Sequence, residues 1–170
     1  MSQFPPMQNP ASIIDMAKVR ERLQAASLEA LNASVLILSS AMRTTLSQPG
    51  TGRRYFRNPG YGRRRNARQL GVHVASAPGR PPAVDTNRLR ASFAVSTVGT
   101  RGDGFVAVEK APTRMVLRYG SKVRYAVFLE YGTRRTRKRP FVAPTLEKFR
   151  PKLPAIFAAA FRRHFPRVKA

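Results

Sequence analysis

Five basic residues occupy the six positions 134–139: Arg134, Arg135, Arg137, Lys138 and Arg139. Seven arginines, Arg53, Arg54, Arg57, Arg63, Arg64, Arg65 and Arg68, fall within residues 47–71, where there is no acid. Guanidinium groups at this density do one kind of chemistry well, the gripping of phosphate or carboxylate oxygens through paired hydrogen bonds. Tyr55, Phe56 and Tyr61 interleave the earlier block, a composition that can stack on bases while arginines hold the backbone. A solvated loop that orders on an acidic protein surface has the same composition, so both readings stay open.

The whole chain repeats this bias. Lys and Arg number 32 against 8 Asp and Glu, a formal charge of +24 over 170 residues. Such a chain attracts any polyanion, nucleic acid first, with an anionic membrane or an acidic protein satisfying the same arithmetic. Cysteine is absent and the two histidines, His73 and His164, lie far apart, which excludes disulfides and thiolate metal sites and makes a cofactor unexpected. Nor is there a nucleophile–base set, a phosphate-cradling glycine motif or a metal-ligand spacing, so a non-enzyme is expected. The N-terminus lacks the pattern of a secretory signal, and no apolar stretch reads as the roughly 18 residues that span a bilayer. A soluble, intracellularly made protein is the expectation.

The elements that must carry the basic blocks follow from periodicity. Residues 1–11, with Pro5, Pro6 and Pro10, read as an irregular arm. In residues 12–46, Leu23, Leu28, Leu31, Val35, Leu38, Met42 and Leu46 recur at helical spacing, which predicts one long amphipathic helix with Ser12 as N-cap. Its stripe reads as a core face, and in an oligomer it can also be a subunit contact. Residues 47–71 break both periodicities and read as a long basic loop, continued to residue 82 by a proline-rich connector. Asp85 or Thr86 can cap a short turn at Arg88 and Leu89. Residues 91–110 alternate with period two on either side of Gly102, Asp103 and Gly104, which predicts a hairpin, and residues 114–120 a third strand. The "RGD" string in that turn is turn chemistry; nothing else supports an extracellular adhesion role.

Residues 125–131 predict a short helix with Tyr125, Phe128 and Leu129 on one face and Tyr131 beside them, ended by Gly132 in a left-handed cap. The segment from Pro140 to Pro144 pins the chain before a last amphipathic helix that buries Leu146, Phe149, Leu153, Ile156, Phe157, Ala160 and Phe161, broken at Pro151 and Pro154. One α+β domain over residues 12–165, with a tail at 166–170, accounts for the chain. A long N-terminal and a C-terminal helix cover the buried face of a small sheet.

Three segments carry a resemblance. "PGRPPAVDTNRLRASF", then "VRYAVFLEYGT" some thirty residues later, then "RPFVAPTLEKF" resemble, in order and spacing, the small neck or tail-completion proteins of long-tailed bacteriophages. The likeness covers about residues 72–150. Where the family pattern has glycine this chain has Asn87, the side chain other than glycine that best tolerates positive φ. The arginine-rich insertion is longer and more basic than the family pattern.

The resemblance implies a virion structural protein at the head–tail junction, made in the host bacterial cytoplasm. It implies a homo-oligomeric ring, a hexamer being the favoured closure, between the head connector or head-closure protein and the tail-tube or tail-terminator protein, with DNA passing through and no membrane partner. The sheet is expected to be curved or barrel-like. Asp85, Thr86, Leu89, Tyr125, Phe128, Glu130, Tyr131, Gly132, Pro140, Phe141 and Pro144 then form scaffold and subunit contacts, with Tyr125, Phe128, Tyr131, Gly132, Pro140 and Phe141 in packing roles. Glu130 is expected to pair with an arginine such as Arg88 or Arg139, because unpaired burial of a carboxylate is expensive. A free nucleic-acid-binding protein of ribosomal or nucleoid type explains the charge but leaves the three spaced segments unexplained.

Overall fold

The computed structural model describes residues 15–56, 72–96, 99–100, 102–111 and 114–166. The N-terminal arm, Ser12 and Arg57, Arg63, Arg64, Arg65 and Arg68 of the basic insertion lie outside the described residues. Within them the chain is α+β, with helices and small antiparallel sheets.

Helix α1 is Met16–Thr45. Asp15, rather than Ser12, caps it: its Oδ1 accepts from the amides of Ala17 at 3.0 Å and Lys18 at 3.2 Å. A carboxylate there satisfies orphan amides and sits favourably at the positive end of the helix dipole. The leucine stripe is only part of the buried face. Leu23 is exposed, while Ala26 and Ala30 are wholly buried and Ser34 and Ser39 nearly so.

Two helices run back along α1: α4, Val142–Phe149, and α5, Leu153–His164. Thr45 meets Thr145 at 3.0 Å near one end. At the other end Glu29 bonds Arg163 and His164, so the pairing is antiparallel. These two partners hold the Glu29 carboxyl below its ordinary value, His164 contributing most. Between α4 and α5 the helix tightens into a 3₁₀ turn, Arg150–Lys152, and Pro154 falls in the first turn of α5, where a missing N–H costs nothing. The expected break is therefore present. Phe149 and Ala160 are buried, but Leu146 is exposed and Leu153, Ile156, Phe157 and Phe161 are half-buried.

Among the described residues α1 is also long and apolar enough to cross a membrane by length and composition, contrary to the sequence reading; a third of that window is buried within the protein.

Among the described residues, three antiparallel strand pairs complete the fold. Strands β1, Arg54–Phe56, and β2, Val72–Val74, form a ribbon at the base of the basic insertion, so the expected loop begins as strand. The short β3, Val95–Ser96, and β4, Gly99–Thr100, pair next. The long hairpin joins β5, Gly104–Lys110, to β6, Met115–Ser121, and not the strands on either side of residues 102–104 as the alternation predicted. Its seven paired positions put Val106 opposite Tyr119 and Val108 opposite Leu117, and Phe105 covers Gly120, where a Cβ would lie 2.9 Å from its ring. The described strands form no closed barrel.

The core lies where α1, the short helix α2 (Arg88–Ser92) and β6 meet the chain before α4. Met42, Leu46, Leu89, Phe93, Val123 and Phe141 are buried together. Phe93 sits edge-on to both Tyr119 (5.9 Å) and Phe141 (5.8 Å), the arrangement aromatic quadrupoles favour.

The Tyr119 hydroxyl donates to the Phe93 carbonyl at 2.6 Å, an oxygen that Ser39 also bonds at 2.7 Å. Burial pushes the phenol up to about 12, with the Ser39 hydroxyl and Arg43 pulling the other way. A folded value above the ordinary 10.0 means this stabilisation is complete below pH 10 and is lost as pH rises towards 12. Tyr119→Phe is expected to lower stability at neutral pH by about 1 kcal/mol, for one hydrogen bond. It should also flatten the loss of stability above pH 10, read from urea midpoints across that range.

Candidate functional site

The three segments that are separated in sequence converge around one helix, α3, Tyr125–Tyr131. Ala126 and Leu129 are half-buried and pack on the core, while Tyr125 (38%), Phe128 (56%), Val127 (58%) and Tyr131 (80%) are exposed. The expected packing role of Tyr125, Phe128 and Tyr131 is thus corrected. Residues 126, 129 and 130 share one face at spacings of three and four, and residues 124, 127, 128 and 131 share the opposite one. Val127, not singled out from sequence, belongs to this outward patch.

Glu130 is the hinge between the second and third segments. Its Oε2 accepts from the amides of Phe141 at 2.8 Å and Val142 at 2.9 Å, and its Oε1 from Ala143 at 3.0 Å. The expected arginine partner is replaced by the open N-terminus of α4, whose first amides have no intrahelical acceptor and carry partial positive charge. Arg88 instead bonds Asp103 at 2.6 Å, which lowers the Asp103 carboxyl. Phe141 is 1% exposed, held by this anchor in the core. Pro140 and Pro144 are half-buried, and Pro144 stands in the first turn of α4.

Gly132 ends α3, its amide donating to the Phe128 carbonyl at 3.0 Å. Its φ of 81° is positive as expected, but its ψ of 179° lies outside the left-handed helical cap, in a region open essentially to glycine alone. A Cβ there would also meet the Thr136 carbonyl at 2.9 Å. This lets residues 133–136 fold into a tight turn, in which the Thr133 hydroxyl accepts from the amides of Arg135 and Thr136. Arg134, Arg135, Arg137 and Lys138 are exposed on that turn beside the aromatic patch; Arg139 is half-buried.

Both basic blocks are tied to one connector. The Ala75 amide donates to the Arg53 carbonyl at 2.9 Å, and the Gly79 amide to the Lys138 carbonyl at 3.0 Å. Arg53 and Arg54 are exposed, with the Arg53 guanidinium 5.5 Å from the centre of the Tyr55 ring. The chain crosses itself closely here, since a Cβ on Gly50 would lie 1.8 Å from the Val74 carbonyl.

At the first segment Asn87 takes φ 63°, the left-handed conformation its place in the pattern required. Asp85 and Thr86 do not cap α2: Asn87 is the cap residue, and its Oδ1 accepts from Arg90 Nε at 2.7 Å. Leu89 is buried in the core. Asp85, Leu89, Tyr125, Leu129 and Arg139 line a cavity of about 330 Å³. On its wall His73 Nδ1 stands 3.8 Å from Asp85 Oδ1. No cluster of three potential metal ligands occurs among the described residues. No family model, curated protein or solved structure matches the chain.

Proposed function

We propose that the chain is a structural, non-enzymatic subunit of a ring at the head–tail junction of a long-tailed bacteriophage. It would join the head connector to the tail-tube or tail-terminator protein and flank the passage of DNA. The observation that carries this reading is the outward aromatic face of α3 set beside the basic turn. Tyr and Phe at the centre with arginines at the rim is the anatomy of a protein interface, and an apolar patch of this kind on the outward face of a helix marks a contact. The order and spacing of the three segments support the same reading. A ring needs such a face on every subunit to meet a different surface on the next. Hexameric closure and a virion location belong to the proposal.

Disrupting the gene in the parent phage and complementing it in trans tests the reading. Unjoined full heads and finished tails, restored to whole particles by the wild-type chain, support it; normal particles without the chain refute it. Complementation by Val127→Thr, Phe128→Ser, Tyr131→Ser together is expected to fail. The variant should still fold with an unfolding midpoint near wild type, because exposed substitutions cost about 0.5 kcal/mol or less.

The basic turn and Arg53 and Arg54 are assigned to phosphate, without base readout, since a conduit must release every sequence it carries. If about six phosphates are neutralised, duplex DNA binding should fall roughly 10³-fold between about 50 and 200 mM salt. Binding indifferent to salt would place these residues against an acidic protein ring.

A further inference from the structure

One face of α1 is left uncovered and nearly free of charge on a strongly basic chain. Between Arg22 and Arg43 the helix carries a single charge, Glu29, whereas the whole chain carries a formal +24. Leu36 is 45% exposed and Ile37 40%, and Ala25, Asn32, Ser40 and Arg43 are exposed with them. Only a third of the apolar window of this helix is buried within the protein. Apolar helix surface left open in this way marks a contact.

The face is symmetric about Leu36. Asn32 and Ser40 lie four positions to either side of it, and Glu29 and Arg43 seven, spacings that keep all five on one side of a helix. Two copies of α1 laid antiparallel with Leu36 on a two-fold axis therefore set Asn32 opposite Ser40 and Glu29 opposite Arg43, each twice. A parallel pairing would set Arg43 against Arg43 and Glu29 against Glu29. Neither Asn32 nor Arg43 spends its side chain on a hydrogen bond or ion pair among the described residues. Glu29 gives one oxygen to Arg163 and the other to His164, but its side chain is 34% exposed and each carboxylate oxygen can accept a second bond. Lys148 and Lys152 share a groove with Ile37 and Thr44, at the Arg43 end of the face. The same two-fold carries them towards the partner's Glu29 end and away from the partner's own lysines.

We propose that this face of α1 binds a second copy of the chain, antiparallel, across a two-fold axis at Leu36. Two strongly basic chains repel one another, so a self-contact belongs where the facing surfaces are neutral or complementary, and this register makes them both. An anionic membrane, the other cover for an apolar helix, is held by cations flanking the apolar face, and α1 has none between Arg22 and Arg43. The contact leaves α3 and the basic turn free, so it stands whether or not the ring reading does.

The chain has no cysteine, so single cysteines report the register cleanly. The test uses the full-length protein freed of nucleic acid, at about 300 mM salt to screen the mutual repulsion. Under mild oxidation Leu36→Cys should form a disulfide-linked dimer. Asn32→Cys and Ser40→Cys should each stay monomeric alone, because their equivalent positions lie about 12 Å apart along the axis, and should join when mixed. Lys110→Cys, exposed on β5, sets the background of random collision. By sedimentation equilibrium the wild type is expected to dimerise. Leu36→Asp should weaken the dimer about 100-fold, since it sets two carboxylates face to face, and Arg43→Glu about 10-fold. Both should keep the wild-type circular dichroism, as both positions are exposed. The α3 variant Val127→Thr, Phe128→Ser, Tyr131→Ser should still dimerise, which separates this contact from the α3 interface. A wild type that is monomeric at about 100 μM overturns the proposal, since it puts any Kd well above the range of stable self-association. So does association that Leu36→Asp leaves unchanged, or cross-linking of Leu36→Cys no faster than that of Lys110→Cys. Flotation of the wild type with vesicles of phosphatidylglycerol and phosphatidylethanolamine in equal parts, lost in Leu36→Asp, would assign the face to a membrane and overturn it equally.

Discussion

Phe141→Ala is expected to lower the unfolding free energy by about 3–5 kcal/mol, the largest single effect in the molecule. The ring is 1% exposed, edge-on to Phe93, and buried with Met42, Leu46, Leu89 and Val123. Removing it takes away the transfer free energy of an aromatic side chain and leaves a hole between α1, α2 and α4 that the surrounding backbone fills only in part. Chemical denaturation with an unchanged slope and a shifted midpoint is the measurement; Phe141→Leu, which keeps most of the volume, should lose much less. A shift below about 1 kcal/mol for the alanine variant would mean that the third segment does not anchor in this core.

Glu130→Ala comes next, at about 2–4 kcal/mol. Three amides, those of Phe141, Val142 and Ala143, lose their acceptor together, and the start of α4 loses the negative charge that complements its dipole. Glu130→Gln keeps one acceptor oxygen and should recover part of the loss. The same change should release the orientation of α3 relative to α4, so hydrogen exchange at residues 141–143 is expected to rise with the loss in stability. Had Glu130 been held by an arginine instead, exchange at those amides would be unmoved.

The contrast between these residues shows what was legible in the sequence. Phe141 was read as a packing residue because the resemblance makes its segment part of the scaffold, and the fold buries it. Asn87 was read as a residue tolerating positive φ because it stands where the family pattern of the resemblance has glycine, and its φ is 63°. The long first helix and the proline break between α4 and α5 followed from periodicity and from the missing N–H of proline. Glu130 was read as structural, but its partners are backbone amides, which every residue possesses and no side-chain pattern displays.

Faces of short elements were the least legible. In the seven-residue α3, aromatic content suggested burial, whereas Ala126 and Leu129 turn inward and the aromatics outward. About two helical turns hold too few positions for periodicity to overrule composition. The hairpin was displaced for a related reason: β3, β4 and β5 all alternate, and pairing was decided by the longer match of β5 with β6. The Ala26, Ala30 and Ser34 part of the α1 face was hidden because small residues carry little hydrophobic signal while permitting close helix approach. The cavity was invisible in sequence, since lining residues such as Ser76 and Arg139 are sixty-three positions apart.

The central claim is location. Immunogold labelling of intact virions from the parent lysate, with antibody raised against the purified chain and negative-stain imaging, tests it directly. Gold confined to the head–tail junction is the predicted result; particles that carry no gold there, even after mild disruption to open buried epitopes, would contradict it and favour a free nucleic-acid-binding protein.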